Sequence, residues 1–183
     1  MMKKLDKATR ILAKLVEVGH WIAAAAMVVV MMLSLFMGAG VVQNVDLADF
    51  GASLTTYGFD VMIINGAGQV DLAALRLFCV GAAFILCLMA MVFRNIYLIL
   101  KKSEHTTPFQ KDNVRMVREI GIFLLSVPIV SLIMSGVARL VIDPGLVETS
   151  VGLDSFMVGL AVLCLSQFFA RGVDLEAETE GLL

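Results

Sequence analysis

Charge is scarce in this chain and is absent from four long stretches. Only 16% of its 183 residues are Asp, Glu, Lys or Arg, against about 25% in an ordinary soluble domain. Residues 18–45, 77–93, 120–138 and 155–170 include none of them. Other reactive groups are few: three cysteines and two histidines. Cys79, Cys87 and Cys164 all lie in the uncharged stretches and form no CxxC spacing. They read as small hydrophobes, not as a disulfide framework or a thiolate metal site. A haem held between two membrane-embedded histidines is not expected, since His20 sits near an interface and His105 in a connector. The mid-span acids of an ion-coupled carrier are missing as well. No HExxH, GxSxG or Walker loop occurs, so the motifs of zinc proteases, serine hydrolases and NTPases are lacking. The expectation is a protein without enzyme activity, cofactor or direct nucleic-acid contact.

What is present is hydrocarbon-soluble surface: 60% of residues are hydrophobic. A helix needs about 20 apolar residues to cross a bilayer core. The first and third stretches meet that length, and the other two meet it with flanking Arg and Asp at the interface. The expected fold is all-α: a four-helix transmembrane bundle forming one membrane domain, 1–183. Its spans lie at about 18–42, 73–97, 119–140 and 151–171. The first is nearly twice the roughly 7–15 residues of a signal-peptide core, so it is read as a span.

Cations set the orientation. Lys3, Lys4, Lys7, Arg10, Lys14, Arg94, Lys101, Lys102, Lys111, Arg115, Arg118 and Arg171 fall on one side of the alternating layout, and only Arg76 and Arg139 on the other. The positive-inside rule then places both termini and the middle connector in the cytoplasm. The basic, amphipathic arm before the first span is expected to run along or into the interface, with His20 and Trp21 at headgroup depth. Arg76 and Arg94 lie eighteen residues apart, about 27 Å along a helix, and are expected to reach opposite interfaces as anchors.

The connectors suggest further detail. In the first outer one, about 43–71, Leu54–Tyr57 and Phe59–Ile64 are strand-like, with Gly58 between them and an Asn65-Gly66 turn after them. A small extracellular β-element and a solvated loop both fit. Thr107 and Pro108 look like the N-cap and first residue of the third helix. Lys111, Arg115 and Arg118 then share one cytoplasmic face, and Arg115 can pair with Glu119. Pro128 is expected to kink the third span, with Ser126, Ser131 and Ser135 available to satisfy the freed backbone. Ser131, Ser135, Gly81, Ala82, Gly159 and Ala161 suit close helix packing. In the acidic tail, Asp174 and Glu178 share a face and could staple the last helix to the Lys111/Arg115/Arg118 face, or both sets could equally be solvated, exposed ion pairs being worth about 0–1 kcal/mol.

The segment Thr107-Pro108-Phe109-Gln110-Lys111-Asp112-Asn113-Val114-Arg115-Met116-Val117-Arg118-Glu119-Ile120-Gly121 resembles the third-helix entry of the DUF2975 family, uncharacterised bacterial membrane proteins. The Phe168-Phe169-Ala170-Arg171-Gly172-Val173-Asp174-Leu175-Glu176-Ala177-Glu178 tail is similar to theirs, although the chain ends Glu180-Gly181-Leu182-Leu183 where the family usually closes Glu-Leu-Thr-Val. The resemblance implies a four-span protein of the bacterial inner membrane. Because such proteins are often encoded beside a small helix-turn-helix regulator, it also implies a regulatory or sensory partner of that protein. Phe109, Lys111, Asn113, Arg115, Arg118, Asp174 and Glu178 are the expected contact residues. The alternative is a small, oligomeric transporter or channel subunit gated at Pro128.

Overall fold

A computed structural model of the chain describes residues 2–36, 53–64, 69–103, 110–149 and 153–180. Four long helices dominate it: α1 (Met2–Phe36), α2 (Leu72–Lys102), α3 (Lys111–Val141) and α4 (Leu153–Glu180). Each contains a segment long and apolar enough to cross a membrane: Lys7–Phe36, Leu72–Lys102, Lys111–Val141 and Asp154–Glu176. α2 is the most enclosed: half of its most apolar eighteen residues are buried, against 11% in α1 and in α4. The polypeptide forms two compact units. One comprises Met1–His20, Leu88–Ser126 and Asp154–Leu183; the other comprises Trp21–Cys87 and Val127–Leu153.

The second unit carries a β-element. Strands β1 (Ser53–Thr56) and β2 (Phe59–Met62) form an antiparallel hairpin, with Thr56 opposite Phe59. Its two turn residues, Tyr57 and Gly58, both have positive φ, 46° and 85°, the signature of a hairpin turn that matches strand twist. β3 (Val147–Thr149) adds to the other edge of β2, giving the order β1-β2-β3. The strand-like reading of 54–64 is therefore met by a hairpin, and a third strand comes from the connector after α3. The Asn65-Gly66 turn lies outside the described residues.

Alternation along β2 puts Phe59, Val61 and Ile63 on one fully buried face. Ile63 forms a core with Leu75 and Cys79, joined by Met27, Met31, Leu54, Ile64 and Val70. The Phe59 ring stacks on Phe78 at 5.8 Å and lies over Gly81, where a Cβ would come within 2.6 Å of it. Asp71 starts α2: its Oδ1 accepts from the Ala73 and Ala74 N–H groups at 2.8 and 3.1 Å. That satisfies two of the donors a helix start leaves unpaired. The Ser131 hydroxyl donates to the Tyr57 carbonyl at 3.3 Å, tying α3 to the hairpin.

In the first unit, α3 and α4 meet through two reciprocal Gly–Leu contacts. A Cβ on Gly121 would lie 2.7 Å from Leu163 Cγ and Cδ2, and one on Gly159 would lie 2.9 Å from the Leu125 backbone nitrogen. Gly121 and Leu125 are four apart on α3, as are Gly159 and Leu163 on α4, so each leucine fills the notch opposite it. The close helix contact expected of Gly159 is thus present, whereas Gly81 makes room chiefly for the Phe59 ring of the hairpin.

The basic arm is helical and continuous with the first span, since α1 runs from Met2; Ala, Leu, Lys and Arg in the arm are all good helix formers. Two expectations are corrected. α3 begins at Lys111, not at Pro108: Gln110 is non-helical and its carbonyl accepts the Val114 N–H. Thr107 and Pro108 lie outside the described residues. α3 also runs through a buried Pro128 without the help expected of Ser126 and Ser131. The first hydroxyl donates to the Ile122 carbonyl and the second to Tyr57, not to the Leu124 carbonyl that a proline at 128 leaves without its N–H.

Gly121→Ala is expected to lower the thermal midpoint in detergent, at a cost of about 1–3 kcal/mol for overpacking. Leu163→Ala, added to it, should recover part of that loss, because the clash is mainly with that side chain. Gly159→Ala should not be rescued by Leu125→Ala, since the obstacle includes backbone. Gly136→Ala, with open space around it, should be neutral or stabilising. Equal midpoints for all these variants would contradict the packing described.

Candidate functional site

The buried side of α1 repeats with alternating steps of four and three: Ala13, Glu17, His20, Ala24, Met27, Met31 and Ser34 are each buried or half-buried. This is the spacing of a coiled-coil seam. It carries three polar side chains, each with a partner. Glu17, only 5% exposed, takes the Lys14 ammonium on both oxygens at 3.0 and 2.9 Å. The ammonium also lies 5.1 Å from the centre of the Tyr97 ring on α2. His20 Nδ1 is 2.8 Å from the Val16 carbonyl, so that nitrogen carries the proton, and its ring packs against Phe93 at 5.3 Å. The Ser34 hydroxyl donates to the Met31 carbonyl at 2.7 Å.

Arg76 reaches that last serine. Its Nη2 donates to the Ser34 carbonyl at 2.6 Å and its Nε to the hydroxyl at 3.2 Å. The guanidinium is thus a bond between α1 and α2, a role its reading as an interface anchor did not include. Arg94 is exposed, and Trp21 is 41% exposed.

A second polar chain joins α2 to α3. Buried Asn95 donates through Nδ2 to Glu119 Oε2 at 3.1 Å, and Arg115 Nε donates to Glu119 Oε1 at 2.9 Å. The expected Arg115–Glu119 pair is therefore formed, and Glu119 holds a buried amide at the same time. Lys102 at the end of α2 meets Asp112 at the start of α3, at 2.9 Å. That pair is solvated, and such pairs are worth about 0–1 kcal/mol.

The expected contact residues differ in exposure. Lys111, Arg115 and Arg118 are exposed on α3, and Asp174 and Glu178 are exposed on α4. Asn113 is 1% exposed, which removes it from any surface; it belongs to the packing. Phe109 lies outside the described residues. The acidic staple is not formed: among the described residues no ion pair joins Asp174 or Glu178 to Lys111, Arg115 or Arg118. Arg115 takes Glu119 instead, one turn away on its own helix, where the pair needs no additional ordering of a second element.

Two grooves remain. One, of about 260 Å³, is almost wholly apolar and is lined by Val28, Met31, Cys79, Val80, Ala83, Phe84 and Cys87. The other, of about 250 Å³, is lined by Arg10, Ile11, Lys14, Leu15 and Tyr97. Among the described residues no three His, Cys, Asp or Glu side chains gather as a metal site. Sequence reading missed Glu17, Asn95 and Ser34. The four-three spacing of Ala13, Glu17, His20 and Ala24 is the signal that could have found the first.

Compared with family descriptions, residues 61–181 match a protein family of unknown function, DUF2975. No curated protein and no solved structure matches the chain.

Glu119 supplies a direct test of the polar chain. Glu119→Gln keeps an acceptor for Asn95 and should cost less than about 1 kcal/mol. Glu119→Leu leaves a buried amide donor unpaired and should cost about 1–3 kcal/mol. Thermal unfolding in detergent reads the difference, and equal midpoints for the two variants would contradict the role given to Asn95.

Proposed function

The chain belongs to the DUF2975 family, a family of unknown function, and from that premise we propose that it is a non-enzymatic, four-span protein of the bacterial inner membrane whose cytoplasmic face docks a small soluble regulator. The observation that carries this reading is the exposed cationic row on α3. Lys111, Arg115 and Arg118 occupy positions i, i+4 and i+7. Lys111 and Arg118 make no ion pair among the described residues. Arg115 is 79% exposed at its side chain even while bound to Glu119. Long cations left in water at the mouth of an apolar helix keep their hydration until a partner with complementary charge arrives. Asp174 and Glu178 on α4 would add the opposite sign to the same docking surface.

Orientation follows from the cation imbalance. With Arg76 and Arg139 as the only basic residues on the opposite side, the hairpin faces outward and the cationic row inward. A cytoplasmic partner of the helix-turn-helix class fits the family's usual setting. Such a protein would be held at the membrane by charge and released when that charge or its access changes.

Affinity purification of the chain from native membranes should recover a soluble protein of that class. Lys111→Glu with Arg118→Glu should reduce the recovery at least about tenfold, and raised salt should elute the partner. No soluble partner at low salt, or full recovery with the doubly reversed variant, would overturn the proposal.

A further inference from the structure

Two seams run along α4. Gly159, Ser166 and Val173, seven residues apart, form the buried one, and Gly159 is the notch that receives Leu125 of α3. About a third of a turn further round lie Leu160, Cys164, Gln167, Arg171 and Asp174, all exposed. They follow one another by steps of four, three, four and three, the spacing of a coiled-coil seam. The first three belong to the uncharged stretch 155–170, so hydrocarbon surrounds them in the four-span arrangement.

Gln167 sets this face apart. Its side chain is exposed and, among the described residues, makes no hydrogen bond. An amide carries two N–H donors and a carbonyl acceptor, and hydrocarbon satisfies none of them. Polar side chains of this kind bond across helices in membranes. α3 does not supply the partner, because it packs on the buried seam. One turn nearer the cytoplasm stands Arg171, with Asp174 three residues beyond it. Among the described residues neither makes an ion pair.

We propose that this seam pairs with the same seam of a second copy, giving a parallel two-fold dimer in the membrane. Copies inserted in one orientation pair only in parallel, so each seam residue meets its own counterpart across the axis. An amide is self-complementary in that geometry: the Gln167 carbonyl of each copy accepts an N–H from the other. Arg171 of each copy comes within a turn of Asp174 of the other, which sets opposite charges across the axis twice. Lipid chains would cover Leu160 and Cys164 but would leave the amide unbonded. A second copy covers all three.

The pairing rests on the four-span reading and not on the docking proposal, because neither Lys111 nor Arg118 belongs to the seam. Cross-linking of the full chain in native membranes provides the first test. With Cys79 and Cys87 changed to serine, Cys164 should form an intermolecular disulfide on mild oxidation. Cys164→Ser combined with Leu165→Cys moves the thiol about 100° round the helix, to an exposed position off the seam, and should abolish the cross-link. Sedimentation in density-matched detergent provides the second test. Gln167→Leu should weaken the dimer about fivefold, the effect of one interhelical polar contact. Gln167→Asn, which keeps an amide, should retain it. A chain monomeric in the membrane and in detergent would overturn the proposal, as would equal cross-linking of the two thiols. A Gln167→Leu dimer as tight as the unaltered one would move the contact to another face and overturn it. Capture of Cys164 by a different protein in place of its own copy would overturn it as well.

Discussion

Hydrocarbon offers the backbone no water, and every other feature of this protein answers to that constraint. An unpaired N–H or C=O in a bilayer costs several kcal/mol, about as much as the whole margin of stability of a small domain. Within the described parts of the apolar stretches four helices satisfy those groups internally, apart from the Leu124 carbonyl one turn before Pro128. The same solvent removes the usual drive for helices to associate, because lipid is as apolar as a leucine side chain. Cohesion then rests on close approach and on a few polar contacts. The reciprocal Gly121–Leu163 and Gly159–Leu125 notches supply the first. The Arg76–Ser34 and Asn95–Glu119 bonds supply the second.

The two units solve the problem differently. Around the hairpin, Phe59, Val61 and Ile63 extend an apolar core from sheet to helix. Among the polar contacts there, Arg76 bonds Ser34 and Ser131 bonds the hairpin turn. In the other unit polar groups are frequent and layered. Buried Glu17 and Asn95 each hold a more exposed ionic partner, Lys14 in one case and, through Glu119, Arg115 in the other. Buried polarity of that kind fixes side-chain positions at some cost in stability.

Much of this was legible in the sequence. Runs without charge marked the four helices, because the cost of leaving a charge in lipid is large enough to exclude it from whole segments. The strand-like residues on either side of Gly58 marked the hairpin, and i, i+4 spacing marked the Arg115–Glu119 pair. The remainder depended on contacts distant in the chain. Val147–Thr149 is too short to signal a strand alone and becomes one by pairing with β2. Ser34 and Arg76 are forty-two residues apart. Asn113 looked like a surface residue beside Lys111 and Asp112, and only the packing of α3 reveals that it faces inward. The start of α3 went to Thr107-Pro108 because capping chemistry is local, whereas the observed helix opens at Lys111, where Lys102 meets Asp112.

The central claim is that one membrane span separates the hairpin from the cationic row of α3. Spheroplasts expressing either of two reporter variants, Thr55→Cys or Lys111→Cys, each in a background with the three native cysteines changed to serine, can be treated with a thiol reagent that does not cross membranes. The account predicts that the reporter at position 55 is labelled in intact spheroplasts and the one at 111 only after lysis. Labelling of both from the same side, or the reverse order, would contradict it.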